Sequence, residues 1–143
     1  MKIKIKRIDK TLPLPERKTE GAAVFDLVAR EEIIIPSGMV EYVPLNVILA
    51  VPDGFVLHLF ARSGTHKKGL MLANGVGVID SDYCGNDDEV TAAYYNFSDA
   101  PVTVERGERI AQGIIRKYEA VDWEEVELME KPSRGGFGTT GKK

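Results

Sequence analysis

The stretch 43-VPLNVILAVPDGFVLHLF-60 decides the fold class of this chain. Residues 43–51 and 55–60 are short apolar runs rich in β-branched and aromatic side chains, which is typical of strands with a buried face. Between them, Pro52 presets φ and Gly54 tolerates positive φ, so 52-PDG-54 predicts a tight turn. The stretch therefore indicates consecutive strands joined by a turn.

The same alternation of short apolar runs and turns extends along most of the chain. Near the N-terminus, Ile3, Ile5 and Ile8 are separated by basic residues, which predicts a half-buried strand. Further runs of the β type follow at 33–35, 76–79, 90–95, 102–104 and 110–115. Many short strands at close spacing predict an all-β jelly roll or β-sandwich. We expect at most one short helix, between Arg62 and Leu72.

Length and composition indicate one globular domain. The chain has 143 residues, of which 43% are hydrophobic and 29% charged. Its net charge of −3 produces no overall field that would attract nucleic acid or a membrane, so we expect neither partner. A signal peptide and a bilayer-spanning run are not expected either, which predicts a cytoplasmic location. Cys84 is the single cysteine, and its default interpretation is a buried, inert thiol.

The last eleven residues differ in composition from the rest. Residues 133–143 read SRGGFGTTGKK, with four glycines and one aromatic side chain. Such a segment has too little apolar surface to order itself. We therefore predict a β domain over residues 1–132 and a flexible glycine-rich arm over 133–143. The arm is either a frayed tail or a lid that orders over a ligand.

A loop after the run at 55–60 combines cations, a hydroxyl group and glycine. It begins with Arg62, Ser63 and Gly64. Backbone N–H groups exposed by glycine, next to a guanidinium and a hydroxyl group, can bind phosphate. The alternative is an ordinary solvated basic loop.

Two aspartates, Asp80 and Asp82, follow an apolar strand. Their spacing of two predicts that both side chains leave the same face of an extended segment. A carboxylate at a strand end can orient and deprotonate a water molecule. The alternative is an Asx-type turn that closes a hairpin. Tyr83 could stack on a sugar or pack at the corner of that hairpin.

Two polar side chains interrupt other apolar runs. Gln112, in 106-RGERIAQ-112, offers a neutral donor to a phosphate oxygen, or simply belongs to an edge strand. Asp26, in 22-AAVFDL-27, is expected to be buried and to need a cation or several N–H partners. Such partners could serve structure alone.

None of these clusters alone identifies a protein family, but the order in which they occur resembles a known pattern. The chain presents 26-DL-27, 62-RSG-64, 79-IDSDYCG-85, 107-GERIAQ-112 and 135-GGFGTTG-141 in succession. This resembles the five-motif pattern of the homotrimeric dUTP diphosphatase (dUTPase) family, from about residue 21 to residue 141. The resemblance implies a dUTPase-like β-clip jelly roll and a homotrimer with active sites at subunit interfaces. It also implies a hydrolase of nucleotide metabolism that uses Mg²⁺. Water would attack the α-phosphate of dUTP to give dUMP and pyrophosphate, which clears dUTP from the nucleotide pool and supplies dUMP for dTMP synthesis.

The resemblance further implies roles for individual residues. Asp80 would orient the attacking water, and Asp26 and Arg109 would support the phosphate site. Tyr83 would pack on deoxyribose and disfavour a 2′-hydroxyl, and Phe137 would cover uracil. Mg²⁺ would bind phosphates and waters, with no direct protein ligand. The implied phosphate-binding residues are Arg62, Ser63, Gly64, Gln112, Arg134, Thr139 and Thr140, and the nucleoside-binding residues are Asn74, Gly77, Val78, Tyr83 and Phe137.

The chain departs from the family pattern in several places. Ala61 replaces the usual proline, Val24 replaces the usual glycine before the first-motif Asp, and the segment 85–96 is longer than usual. Residues 132–133 are Pro-Ser where the family has Arg-Gly. Arg134, Lys131 and Lys142 are therefore the candidates for binding the γ-phosphate.

Two other functions stay open at this point. A dCTP deaminase shares the fold and parts of the middle motifs, but generally lacks the Gly-Gly-Phe-Gly arm. A regulator that senses nucleotides without catalysis would bind dUTP and release no pyrophosphate.

Overall fold

In its computed structural model, which describes residues 1–136, the chain folds mainly into short β-strands. The strands are β1 (Lys4–Arg7), β2 (Phe25–Val28), β3 (Ile33–Ile35), β4 (Val40–Pro44), β5 (Val47–Ala50), β6 (Phe55–Ala61), β7 (Leu70–Leu72), β8 (Gly77–Ile79), β9 (Thr91–Asn96), β10 (Val102–Val104) and β11 (Arg109–Lys117). A single 3₁₀ turn over Thr65–Lys68 is the helical element of this range.

The strands pair in antiparallel sheets. A four-stranded sheet has the order β2-β11-β6-β8, and a three-stranded sheet has the order β4-β9-β7. Two further pairs, β1-β5 and β3-β10, complete the arrangement. The prediction of an all-β jelly-roll fold with at most one short helical element is confirmed.

Apolar side chains from these sheets meet in one buried core. Leu57 and Leu59 alternate along β6, which is the pattern expected of a strand with one buried face. The largest fully buried side chain is that of Tyr94, whose hydroxyl group donates to the Ile110 carbonyl at 2.7 Å. Burial raises the pKa of Tyr94 well above its ordinary value. The hydrogen bond to the Ile110 carbonyl satisfies the buried Tyr94 hydroxyl group, which would otherwise be costly to bury.

The run at 43–51 is divided into two strands. Asn46, between β4 and β5, has φ of +68° and a fully buried side chain. That side chain pairs with the main chain of Asp9, accepting at 2.7 Å and donating at 3.0 Å. The turn predicted at 52-PDG-54 is confirmed, since Gly54 has φ of +76° and Phe55 N–H donates to Pro52 O.

Three local expectations differ from the structure. Between Arg62 and Leu72 there is a 3₁₀ turn that ends at Gly69, with φ of +81°, and is followed by β7. Ile5 in β1 remains 38% exposed, and three of the four residues of this strand are exposed, so β1 is not the half-buried strand that was expected. The thiol of Cys84 is exposed, so its interpretation as a buried side chain is wrong. Its loop lies outside the core.

Within residues 1–136, no helix has the length and hydropathy needed to cross a membrane.

The contact between β6 and β8 requires a glycine at position 77. Gly77 lies opposite Leu59, and a Cβ there would meet the Leu59 Cβ at 2.9 Å. We expect Gly77→Ala to lower the free energy of unfolding by about 1–3 kcal/mol, because the strands would have to move apart. Urea unfolding checks this, with Gly21→Ala as the control because a Cβ at residue 21 has no neighbour within 4 Å. Equal unfolding midpoints for both variants would contradict the prediction.

Candidate active site

The central position of β11 brings three predicted residues together. In the ladders of β11, Gln112 lies opposite Asp26 of β2 on one side and Phe60 of β6 on the other. Arg62 directly follows β6. The resulting concavity, here called the arginine cleft, is lined by Lys18, Thr19, Ala22, Val24, Asp26, Arg62, Ser63, Arg109 and Gln112.

The Asp26 carboxylate holds two arginines in the arginine cleft. Arg62 Nε donates to Oδ1 at 3.1 Å, and Arg109 Nη1 donates to Oδ2 at 3.0 Å. Arg62 Nη1 also donates to the Arg109 carbonyl at 3.1 Å. The prediction that Asp26 meets a cation is therefore confirmed. Two guanidinium groups sharing one carboxylate leave a net positive charge and further N–H donors, which suits an anionic ligand.

Gln112 and Ser63 add neutral polar groups to this cleft. Gln112 is half-buried, and its Nε2 donates to the Ala61 carbonyl at 3.0 Å. This bond uses one of the two N–H groups of the amide and fixes the direction of the other. Ser63 and Gly64 are exposed in the turn before the 3₁₀ segment, where Thr65 N–H donates to Arg62 O.

Asp80 lies in a turn directly after β8. Tyr83 N–H donates to Asp80 O at 3.3 Å, which closes a four-residue turn. The prediction that Asp80 and Asp82 leave one face of an extended segment is therefore wrong, and the chain turns here through a main-chain hydrogen bond. The strand ends at Ile79 because this bond bends the chain. The exposed carboxylate of Asp80 remains at the strand end, where it can reach solvent.

Asp80 and Tyr83 line a second concavity, here called the hairpin cleft, with Val78, Ile79, Val90 and Thr91. Tyr83 is 43% exposed, and its hydroxyl group donates to the Glu89 carbonyl at 3.3 Å. Among the other nucleoside-binding candidates, Gly77 and Val78 belong to β8, and Asn74 is exposed in the turn before it. A carboxylate, a phenol ring and exposed strand edges thus share one side of the hairpin.

The arginine cleft and the hairpin cleft lie at opposite ends of β6. Ile79 pairs with Leu57, so Asp80 is level with Val56, whereas Ser63 is seven residues further along the chain. At about 3.3 Å per residue, this places the two residues about 20 Å apart along the strand direction. Within one chain, the structure does not bring the predicted base and the predicted phosphate-binding residues together.

Lys18 and Thr19 line the arginine cleft and were not among the predicted site residues. They lie there because the chain folds back before β2, where Asp26 N–H donates to Glu16 O at 3.1 Å. Lys18 also forms an ion pair with Glu16. The backbone pairing of Glu16 with Asp26 is a single β-bridge and has no periodic pattern in the sequence, so only the tertiary structure reveals it.

The predicted arm residues lie at the limit of the structure. Arg134 is exposed, and the neighbouring Gly135 N–H donates to Ser133 Oγ at 3.3 Å. Phe137, Thr139 and Thr140 lie outside the described residues. Their roles remain predictions from the sequence.

Comparisons with known proteins agree with the fold and the motifs. The family model described as dUTPase matches residues 10–141. The chain is 42% identical to the deoxyuridine 5′-triphosphate nucleotidohydrolase of Corynebacterium glutamicum, with 98% of this chain and 95% of that protein covered. It is 38% identical to the protein of the same name from Dictyoglomus turgidum, with 99% of each covered.

Solved structures place the chain in the same fold. The dUTPase of Streptococcus mutans superposes with a TM-score of 0.76 at 37% identity, covering 83% of this chain and 98% of that one. The dUTPase of Staphylococcus bacteriophage 80alpha, solved with dUPNHPP, gives a TM-score of 0.85 at 24% identity over 98% of both chains, which supports the fold alone. The family match over nearly the whole length, together with relatives of about 40% identity, shows that this chain belongs to the dUTPase family.

Proposed function

We propose that this chain hydrolyses dUTP to dUMP and pyrophosphate, and so removes dUTP from the nucleotide pool while supplying dUMP. The observation that carries the proposal is the arginine cleft, where Asp26 orients Arg62 and Arg109 beside Ser63 and Gln112. This set of donors fits the oxygens of a polyphosphate. Membership in the dUTPase family supports dUTP as the nucleotide.

The chemical step in this proposal uses Asp80 as the base. The carboxylate accepts a proton from a water whose oxygen forms a new bond to the α-phosphorus. The bond from the α-phosphorus to the α–β bridging oxygen breaks, and pyrophosphate leaves with that electron pair. Because the transfer needs an in-line water and neutralised charge, catalysis rests on positioning and electrostatics.

The arginine cleft stabilises the leaving group in this mechanism. Arg62 and Gln112 donate to phosphate oxygens, and Ser63 donates to the α–β bridging oxygen as charge develops there. Asp26 holds Arg62 and Arg109 in position, and Arg109 supports the phosphate site. Gly64, Arg134, Thr139 and Thr140 supply further phosphate contacts in the proposal. Arg134 is the arm cation that we assign to the γ-phosphate.

The β8 hairpin selects the nucleoside. Asn74, Gly77 and Val78 present side-chain and backbone groups to the uracil edge, where cytosine would offer a donor in place of an acceptor. Tyr83 packs on deoxyribose and excludes a 2′-hydroxyl by shape. Phe137 covers the base when the arm closes, which keeps water out of the site.

The separation of the two clefts supports an oligomer. Since Ser63 and Asp80 act on atoms bonded to one phosphorus, they must lie within about 10 Å of each other. Within one chain the register of β6 and β8 separates them far more than this. A complete site therefore needs the arginine cleft of one subunit and the hairpin cleft of another, which is what a homotrimer would supply.

Mg²⁺ is the proposed cofactor, bound through the substrate. No group of three or more His, Cys, Asp or Glu side chains in residues 1–136 is arranged to hold a metal ion. The Asp26 carboxylate is already occupied by two guanidinium groups. These residues do not fit a protein-bound metal, whereas phosphate oxygens and waters are ligands that Mg²⁺ prefers. The ion would neutralise phosphate charge.

A cytoplasmic location completes the proposal. Its support is a single unpaired, exposed cysteine, which suits a reducing compartment.

Pyrophosphate release tests the function. The full chain is offered dUTP, dCTP, dTTP and UTP separately with Mg²⁺, and both pyrophosphate and ammonia are measured. We expect pyrophosphate from dUTP far above the other nucleotides. Ammonia from dCTP would instead identify a deaminase, and binding of dUTP without pyrophosphate release would identify a regulator.

A further inference from the structure

The Glu89 carboxylate anchors residues 80–89, here called the 80–89 loop, which lie between β8 and β9 and include Asp80 and Tyr83. Arg30 Nε donates to both of its oxygens, at 2.9 and 3.1 Å. Asn46 N–H donates to its Oε1 at 2.8 Å. The Glu89 side chain is only 16% exposed, so its charge is held by these donors rather than by water.

Both donors are themselves fixed by the core. Asn46 is fully buried, and its side chain is bonded to the main chain of Asp9. Arg30 is held through its own N–H, which donates to Pro44 O at 2.8 Å. The hydrogen bond from Arg30 to Glu89 raises the pKa of the Arg30 guanidinium. Glu89 therefore connects the loop to a rigid part of the molecule.

The main chain of Glu89 meets the nucleoside side of the same loop. Its carbonyl accepts the hydroxyl group of Tyr83 at 3.3 Å. The loop between them is closed locally by Gly85 N–H, which donates to Asp88 Oδ2 at 2.6 Å. The Glu89 carbonyl also accepts the Thr91 hydroxyl group at 3.2 Å. Glu89 thus links an anchored carboxylate to the Tyr83 hydroxyl group through its own main chain.

We propose that Glu89 is a positioning residue whose ion pair with Arg30 sets the orientation of the Tyr83 ring and thereby the discrimination between dUTP and UTP. This rests on the proposed function, in which the ring packs on deoxyribose. An aromatic face excludes one extra hydroxyl group only while it is held close to the sugar. A loosened anchor allows the ring to retreat and leaves room for the 2′-hydroxyl.

Glu89→Gln tests this, because glutamine retains the shape of the side chain and loses its charge. We expect the ratio of kcat/KM for dUTP to that for UTP to fall about tenfold, mainly through KM. A change of this size is typical of the coupling between two residues in direct contact, here Glu89 and Tyr83. Tyr83→Phe removes the hydroxyl group that rests on Glu89 and should lower the same ratio. If the two residues act through that bond, the double variant loses little more than either single variant.

The matched control is Glu31→Gln. Glu31 is 51% exposed and pairs with the same Arg30 at 3.4 Å, but does not belong to the 80–89 loop. Its selectivity should stay within about twofold of wild type, as for an exposed ion pair. If Glu89→Gln fails to fold, Arg30→Lys keeps the charge, loses the contact to both oxygens, and should lower selectivity to a smaller degree.

Two outcomes overturn the proposal. One is a Glu89→Gln protein with a lower melting temperature but the selectivity of wild type, which would make Glu89 purely structural. The other is full additivity with Tyr83→Phe. Binding of dUMP and UMP, measured by calorimetry on the same proteins, gives the same comparison without turnover. A wild-type protein that binds dUMP selectively but releases no pyrophosphate contradicts the proposed function while leaving this test intact.

Discussion

Replacing Asp80 with Asn is expected to lower kcat for dUTP about a thousandfold, since a positioned general base contributes at about this level. The amide retains the size of the side chain but cannot accept the proton of the attacking water. KM should change little, because the carboxylate contacts the water rather than the nucleotide. Steady-state pyrophosphate release over a range of dUTP concentrations separates the two constants.

Asp82→Asn is the matched control for Asp80→Asn. Asp82 is exposed in the same turn, two residues along the chain. It should retain wild-type kcat, because the turn closed from Tyr83 to Asp80 directs the two side chains differently. If Asp80→Asn keeps full turnover, or if both variants lose it equally, Asp80 is not the base.

Deleting residues 133–143 is expected to have the second largest effect. We predict a loss of about a hundredfold in kcat/KM, the scale associated with a misplaced or water-exposed reacting group. The deletion removes the predicted contacts of Phe137, Thr139 and Thr140 but leaves the strands and their core untouched. Circular dichroism and gel filtration should therefore match the full-length protein.

Two substitutions distinguish a lid from a tail. Phe137→Ala removes the aromatic cover and should reproduce much of the deletion's loss. Phe137→Tyr retains a ring and should keep most of the activity. Normal rates in the deletion variant would show that residues 133–143 form a tail without a catalytic role.

The sequence was sufficient for most of the strands and turns. Short apolar runs are a local signal in the sequence, so the run 55–60 was sufficient to predict β6, and the turn at 52–54 lies where proline and glycine predicted it. The need of Asp26 for a cation or several N–H partners also followed from local reasoning, since a carboxylate in an apolar strand must be compensated, and the structure supplies two arginines. The five ordered motifs identified the family.

Only the tertiary structure decided which polar groups meet. Arg62 and Arg109 lie 47 residues apart and share Asp26 because β11 lies between β2 and β6. Lys18 reaches the same cleft through a fold-back without periodicity, and Asp80 lies at the other end of β6 through strand register. Strand character depends mainly on neighbours along the chain, and this sequence therefore determined most of the strands by itself, with β7 (Leu70–Leu72) as an exception. Sheet order and register depend on contacts between distant segments, so they, and the division of the site into two clefts, required the folded molecule.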